Sequence, residues 1–152
     1  MENLRLTLMD RTDAGWLNVL LADEDVRRYL PHLTTSAHDF IYDMQRAMET
    51  GLGELWAIRL DDLGIGFIAV YDIGDNPFIF YAMLSAYRNK GYMKKSLQML
   101  DPSRFGVLHT CVDPENVPSL RVLTNGGDPK VNKDRTGYPF SLSFGISIRQ
   151  KN

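Results

Sequence analysis

A basic turn that contains a glycine is the segment of this chain best suited to chemistry. Unpaired backbone N–H groups at the start of a helix point at an anion, and the helix dipole favours negative charge there. The sequence therefore predicts a phosphate-binding segment, which we call the anion turn. It lies between an apolar run and a predicted helix, and its residues are Arg88, Asn89, Lys90, Gly91, Tyr92 and Met93.

A second polar motif follows downstream at Asn116 and Ser119, three residues apart at the start of a predicted helix. Asn and Ser side chains accept hydrogen bonds from the free N–H groups of a helix start, so the pair would serve as an ordinary N-cap. The same side chains would also face a ligand bound at the anion turn. From the residues alone, both interpretations stay open.

The composition narrows the class of protein. The chain has 152 residues and a formal net charge of −2, which argues against nucleic acid as the main partner because binding to phosphate backbones needs clustered Lys and Arg. Its one cysteine, Cys111, cannot form an intrachain disulfide, which favours a reducing, cytoplasmic location. No apolar run approaches the roughly 18–20 residues that span a bilayer, so no membrane partner is expected. We expect a single domain over residues 1–152, without a metal site.

The hydrophobic pattern predicts the elements that position these motifs. A meander of strands followed by a strand–helix–strand crossover predicts a mixed sheet with helices packed on it. The predicted order begins with a strand around Leu4–Leu8 and three helices: one that starts at residue 12, one at 26–30, and one that starts with a Ser36 cap and ends at Gly51. Strands follow at 54–60, 65–73 and 78–84, then a helix at 92–100, a strand at 105–112 and a helix at 116–125. A terminal hairpin ends in a long alternating strand at 138–148.

This order and these motifs resemble the GNAT family of acetyl-CoA-dependent N-acetyltransferases. The most similar branch comprises the ribosomal-protein N-terminal amine acetyltransferases and their small-molecule relatives. The family's phosphate turn is Arg or Gln, two variable residues, Gly, one variable residue, then Gly or Ala, and the anion turn fits all positions but the last, Met93. Residues 81–87 resemble the entering strand, and the Asn116-x-x-Ser119 motif resembles the family's second helix.

The resemblance implies the fold and the cofactor. The fold would be α+β (α/β mixed), with a GNAT-like central, mostly antiparallel, twisted sheet of six to seven strands and helices on both faces. The acyl donor would be acetyl-CoA, and no metal would be needed. The acceptor would be a primary amine, on a protein N-terminus or on a small molecule.

The resemblance also implies which residues bind the cofactor. Backbone N–H groups of the anion turn would hold the pyrophosphate, with added charge from Arg88. A backbone N–H at Met83 or Leu84 would polarise the thioester carbonyl. Lys94 and Lys95 would meet the adenosine phosphate or form a solvated helix face. The full implied cofactor-binding set is Met83, Leu84, Arg88, Asn89, Lys90, Gly91, Tyr92, Met93, Asn116 and Ser119.

Catalysis also needs proton transfers, because the amine loses a proton and the departing thiolate gains one. By resemblance to the ribosomal-protein branch, Ser119 is the expected acid near the sulfur. Tyr81 is the second expected catalytic residue, as a candidate base. The other candidates by strand placement are Glu54, Asp72, His109 and Asp113.

Some residues depart from the family pattern and leave alternatives open. Met93 replaces a small residue, and Asp128 stands where the family usually has an aromatic residue. One alternative is therefore a catalytically inactive GNAT-fold protein that binds CoA or a protein partner. Another is a generic α/β interaction domain without a splayed gap beside the strand that ends at Leu84. The C-terminal strand could finish the sheet or pair with a second copy in a homodimer.

Overall fold

The computed structural model describes residues 2–30, 36–75, 77–100, 105, 107–112, 130–133 and 142–147. The predictions for Asp113, Asn116, Ser119, Asp128 and the helix at 116–125 fall outside these residues. The described elements are β1 (Leu4–Leu8), a 3-10 turn (Arg11–Asp13), α1 (Ala14–Leu21), α2 (Glu24–Tyr29), α3 (Ala37–Glu49), β2 (Glu54–Leu60), β3 (Leu63–Tyr71), β4 (Phe78–Met83), a 3-10 turn (Ser85–Tyr87), α4 (Tyr92–Leu100), β5 (Val107–Val112), β6 (Lys130–Lys133) and β7 (Leu142–Ser147).

The strands form one seven-stranded sheet in the order β1-β2-β3-β4-β5-β7-β6. All neighbours are antiparallel except β4 and β5, which run parallel. Residues 65–70 of β3 are all buried, as expected for a strand covered on both faces. The predicted mixed, mostly antiparallel sheet of six to seven strands is confirmed.

Helices cover both faces of this sheet. On one face, α1 and α3 bury a cluster that includes Leu17, Ile41 and Phe40, whose ring lies 5.3 Å from that of Phe67. On the other face, α4 packs over a second cluster that includes Met93 and Ile68, here called the α4-side cluster. The long amphipathic α3 begins as predicted, because the Ser36 hydroxyl accepts from the Asp39 N–H at 3.2 Å.

The start of β3 differs from the prediction. The sequence predicts a turn through Gly64, but β3 begins at Leu63, which lies opposite Leu60. Asp61 and Asp62 close the hairpin alone with φ angles of 49° and 72°, as a two-residue turn requires. Gly64 is instead a strand residue on which the Trp16 indole rests, since a Cβ there would lie 2.1 Å from the indole Nε1.

The end of β3 and the start of α2 also differ. β3 ends at Tyr71 rather than at residue 73, because Asp72 leaves the extended conformation with φ of 53°. The short helix predicted from Val26 begins two residues earlier, at Glu24. Asp23 caps it: the carboxylate Oδ1 accepts from the N–H groups of Asp25 and Val26 at 2.9 and 3.4 Å.

Candidate functional site

The anion turn connects the end of β4 to the start of α4. After the 3-10 turn, Arg88 is extended with φ of −73° and ψ of 158°, and Asn89 and Gly91 then adopt left-handed φ angles of 62° and 83°. Within the described part of the chain, apart from the adjacent backbone, no atom lies within 4 Å of a Cβ built on Gly91. Glycine is therefore favoured here by its backbone conformation and not by lack of space.

The turn presents a row of free backbone donors. Among the described residues, the N–H groups of residues 89–93 donate to no other group, and the first bond into the helix runs from the Lys95 N–H to the Gly91 carbonyl at 3.2 Å. Asn89, Lys90 and Gly91 are exposed. Because α4 has nine residues, its dipole reinforces these donors, and the turn is built to accept an anion.

The last two residues of the turn face the core. Tyr92 and Met93 are each 8% exposed and belong to the α4-side cluster. The Tyr92 hydroxyl donates to the Glu2 carboxylate at 2.6 Å. This hydrogen bond, followed by desolvation and the charge of Glu2, raises the pKa of Tyr92. The methionine that departs from the family pattern thus packs inward, while residues 89–91 of the turn are exposed.

Arg88 does not extend freely into solvent. Its Nε donates to the Met83 carbonyl at 2.8 Å. Its terminal nitrogens pair with one carboxylate oxygen of Asp23 at 3.3 Å and one of Asp25 at 3.4 Å. The turn is therefore joined to the start of α2. The sequence predicts no role for Asp23 at this site, where its only signal is the acidic run at residues 23–25.

The two predicted oxyanion donors at the end of β4 differ in orientation. The Leu84 N–H already donates to the Ile65 carbonyl at 2.8 Å, and Met83 lies opposite Gly66. Hydrogen-bonded and non-hydrogen-bonded pairs alternate along an antiparallel ladder, so the Met83 N–H and carbonyl both point away from β3. That direction is the side of β5. Of this pair, Met83 is therefore the residue whose N–H is not directed at β3.

The described ladder between β4 and β5 consists of one pair, Phe78 with His109, at the start of β4. Met83 lies at the opposite end of β4. Glu54 opposite Val70, and Asp72 directly after β3, lie near the start of β4. Glu54, Asp72 and His109 therefore lie at the opposite end of β4 from Met83.

Tyr81 lies two residues before Met83 on the same face of β4. It is half-buried opposite Ile68 and packs against the α4-side cluster. Among the described candidates, it is the base closest in register to Met83. The predicted acid, Ser119, and its partner Asn116 lie outside the described residues.

Within the part of the chain that the structure describes, no group of three or more His, Cys, Asp or Glu residues could hold a metal ion. Over the same residues, no helix is long and apolar enough to cross a membrane.

Comparison with known proteins places this geometry in a family. The model of the acetyltransferase (GNAT) domain matches residues 3–127, which include the whole anion turn, Asn116 and Ser119. The chain belongs to the GNAT family. This confirms the resemblance inferred from the motifs. No curated protein matches the chain at the level of sequence.

Solved GNAT structures share this fold. The ribosomal L7/L12 alpha-N-protein acetyltransferase RimL, in complex with coenzyme A, is 16% identical with a TM-score of 0.80, over 95% of this chain and 94% of that one. Mycobacterium smegmatis RimJ, in complex with CoA-disulfide, is 19% identical with a TM-score of 0.77, over 96% and 82%. Spermidine N-acetyltransferase from Vibrio cholerae, in complex with CoA and spermine, is 13% identical with a TM-score of 0.75, over 97% and 96%.

Proposed function

We propose that this GNAT chain is an N-acetyltransferase that moves an acetyl group from acetyl-CoA to a primary amine, either a protein N-terminus or a small molecule. The observation that carries the proposal is the row of N–H donors at residues 89–93, at the start of α4, which have no acceptor among the described residues. The neighbours support it, since RimL and RimJ were solved with coenzyme A or its disulfide and the spermidine enzyme with CoA and spermine. We further propose a single domain that acts in the cytoplasm.

Each part of the cofactor has a proposed position. The pyrophosphate accepts hydrogen bonds from the anion turn, where the helix dipole adds to the attraction. The pantetheine arm lies along β4 on the side of β5, as an added strand would. The thioester oxygen then meets the Met83 N–H, which stabilises the oxyanion as negative charge develops. One such donor is worth about 10²- to 10³-fold in rate.

The chemistry is an acyl transfer. The amine nitrogen attacks the thioester carbonyl, the C–N bond forms, the C–S bond breaks, and the CoA thiolate leaves. In this proposal the hydroxyl of Tyr81 relays the amine proton to water, and the hydroxyl of Ser119 relays a proton from water to the thiolate, so that neither side chain ends the step charged. Asn116 is the companion of Ser119 at the cofactor. No metal takes part in this proposal.

Matched glycine variants test the role of the turn. Gly91→Asp places a carboxylate among the donors, whereas Gly74→Asp makes the same change at a glycine with φ of 95° and no atom near its Cβ. Asp tolerates the left-handed region, as Asp61 and Asp72 show in this chain. We expect Gly91→Asp to abolish CoA binding in calorimetry, and Gly74→Asp to bind as the wild type does.

Activity is tested by release of free thiol from acetyl-CoA with N-terminal peptides and polyamines as acceptors. Release that depends on the amine, together with an N-acetylated product seen by mass spectrometry, supports the enzyme. Tight CoA binding without release for any acceptor would instead favour the catalytically inactive GNAT-fold protein. Equal CoA binding by both glycine variants would remove the anion turn from the proposal.

A further inference from the structure

The guanidinium of Arg88 is shared between the phosphate-binding segment and an acidic segment far away in sequence. Its three contacts are the Met83 carbonyl at 2.8 Å, Asp23 at 3.3 Å and Asp25 at 3.4 Å. The side chains of Arg88 and Asp23 are 23% and 24% exposed, whereas that of Asp25 is 67% exposed. Asp23 is therefore the better shielded of the two carboxylate partners.

Asp23 uses its two oxygens for different tasks. Oδ1 caps α2 by accepting from the N–H groups of Asp25 and Val26, while Oδ2 pairs with Arg88. The cap already fixes the carboxylate, so pairing with Arg88 costs less side-chain entropy than an ordinary surface ion pair does. The Met83 carbonyl likewise holds the guanidinium at its Nε.

We propose that Asp23, helped by Asp25, sets the anion affinity of the turn by holding the guanidinium of Arg88. The inference rests on the proposed function and adds a determinant of cofactor affinity to it. An anion bound at residues 89–93 gains the full charge of Arg88 only by drawing it away from two carboxylates. By thermodynamic linkage, if a bound anion weakens the carboxylate contact by some factor, the carboxylate contact weakens anion binding by that same factor.

The test is the variant Asp23→Asn, because Asn is as good an N-cap as Asp and keeps α2 capped. Glu24→Gln is the matched control: it removes one negative charge from the neighbouring position, which is exposed. Arg88→Gln, alone and combined with Asp23→Asn, closes a double-mutant cycle. The probes are CoA and inorganic pyrophosphate, each titrated by calorimetry at low ionic strength.

We expect Asp23→Asn to tighten the Kd of both probes by about fivefold, the upper end for a partly exposed ion pair. Asp25→Asn should act in the same direction but less, since its carboxylate is more exposed, and Glu24→Gln should change Kd by less than about twofold. In the Arg88→Gln background, Asp23→Asn should no longer change Kd.

Three results would overturn the inference alone: an unchanged Kd in Asp23→Asn, an equal gain in Glu24→Gln, or a gain that persists in Arg88→Gln. An equal gain in Glu24→Gln, or one that persists in Arg88→Gln, would show that the net negative charge of this segment, and not the ion pair between Asp23 and Arg88, sets the affinity for the anion. Failure of the wild type to bind either probe would overturn the proposed function together with this inference, which separates the two failures.

Discussion

Replacing Met93 by alanine separates its role in the core from any role at the cofactor. Its side chain is 8% exposed within the α4-side cluster, in the turn position where the family has Gly or Ala. Truncating a buried methionine to alanine costs about 2–5 kcal/mol, and the gain in helix propensity is only a few tenths. We therefore expect the free energy of unfolding to fall by about 2–4 kcal/mol, with CoA affinity unchanged.

The measurements are urea unfolding, with the m-value checked for constancy, and calorimetry with CoA at a temperature where every variant is folded. Met99→Ala is the matched control, since Met99 lies on the same helix but is 49% exposed. We expect the control to change stability by less than about 0.5 kcal/mol. The reasoning fails if Met93→Ala binds CoA tenfold more tightly without loss of stability, because the methionine would then obstruct the turn.

Three further predictions concern the frame around the site. Asp13→Ala removes a carboxylate that is 3% exposed and paired with Arg59, and we expect the free energy of unfolding in urea to fall by about 3–5 kcal/mol. Asp62→Ala breaks an exposed pair with Arg5 and should lower it by less than about 1 kcal/mol. Equal losses in the two variants would contradict the burial argument. Burial raises the pKa of Tyr71, so its phenol stays neutral in the folded chain above pH ~10, where the unfolded tyrosine ionises. Stability should therefore fall as pH rises past about 10, more shallowly in Tyr71→Phe, and identical pH profiles would refute this. Gly64→Ala forces the Trp16 indole off the sheet, so the tryptophan emission should shift and stability should drop by about 1–3 kcal/mol; an unchanged spectrum would count against the contact.

Element bounds could be predicted where local signals agree. Both β2 at Glu54–Leu60 and α4 at Tyr92–Leu100 begin and end as the sequence predicts. In each case the hydrophobic period is clear and a glycine or proline lies just outside one end, so no tertiary contact is needed to fix the bounds.

The β2–β3 hairpin could not be predicted in detail, because tertiary packing decides it. Gly64 usually indicates a turn, yet here it leaves room for an indole 48 positions earlier in the chain. The turn itself consists of Asp61 and Asp62 in the left-handed region, which aspartate tolerates better than most residues do. Sequence patterns assign the conformational freedom to the glycine and miss the two aspartates.

In the candidate site, too, some features follow from local sequence and others depend on the tertiary fold. The anion turn follows from a local motif, and in the described part of the chain its N–H groups at residues 89–93 have no acceptor. Which of Met83 and Leu84 points its N–H away from β3 depends on the β3–β4 register, which no local pattern contains. The pairing of Arg88 with Asp23 joins residues 65 positions apart and needs the folded chain.

The mismatch at Met93 is therefore weak evidence against cofactor binding. Residues 89–91 of the turn are exposed, whereas Met93 is buried at the start of the helix. A family preference for a small residue would matter here only if that side chain shared space with the anion. The pairing of Arg88 with Asp23 and Asp25 should affect anion affinity more than Met93 does, because a guanidinium paired with two carboxylates attracts an anion less than an unpaired one. If the chain binds CoA as proposed, we therefore expect replacement of Asp23 or Asp25 to change the affinity more than replacement of the residue that breaks the motif.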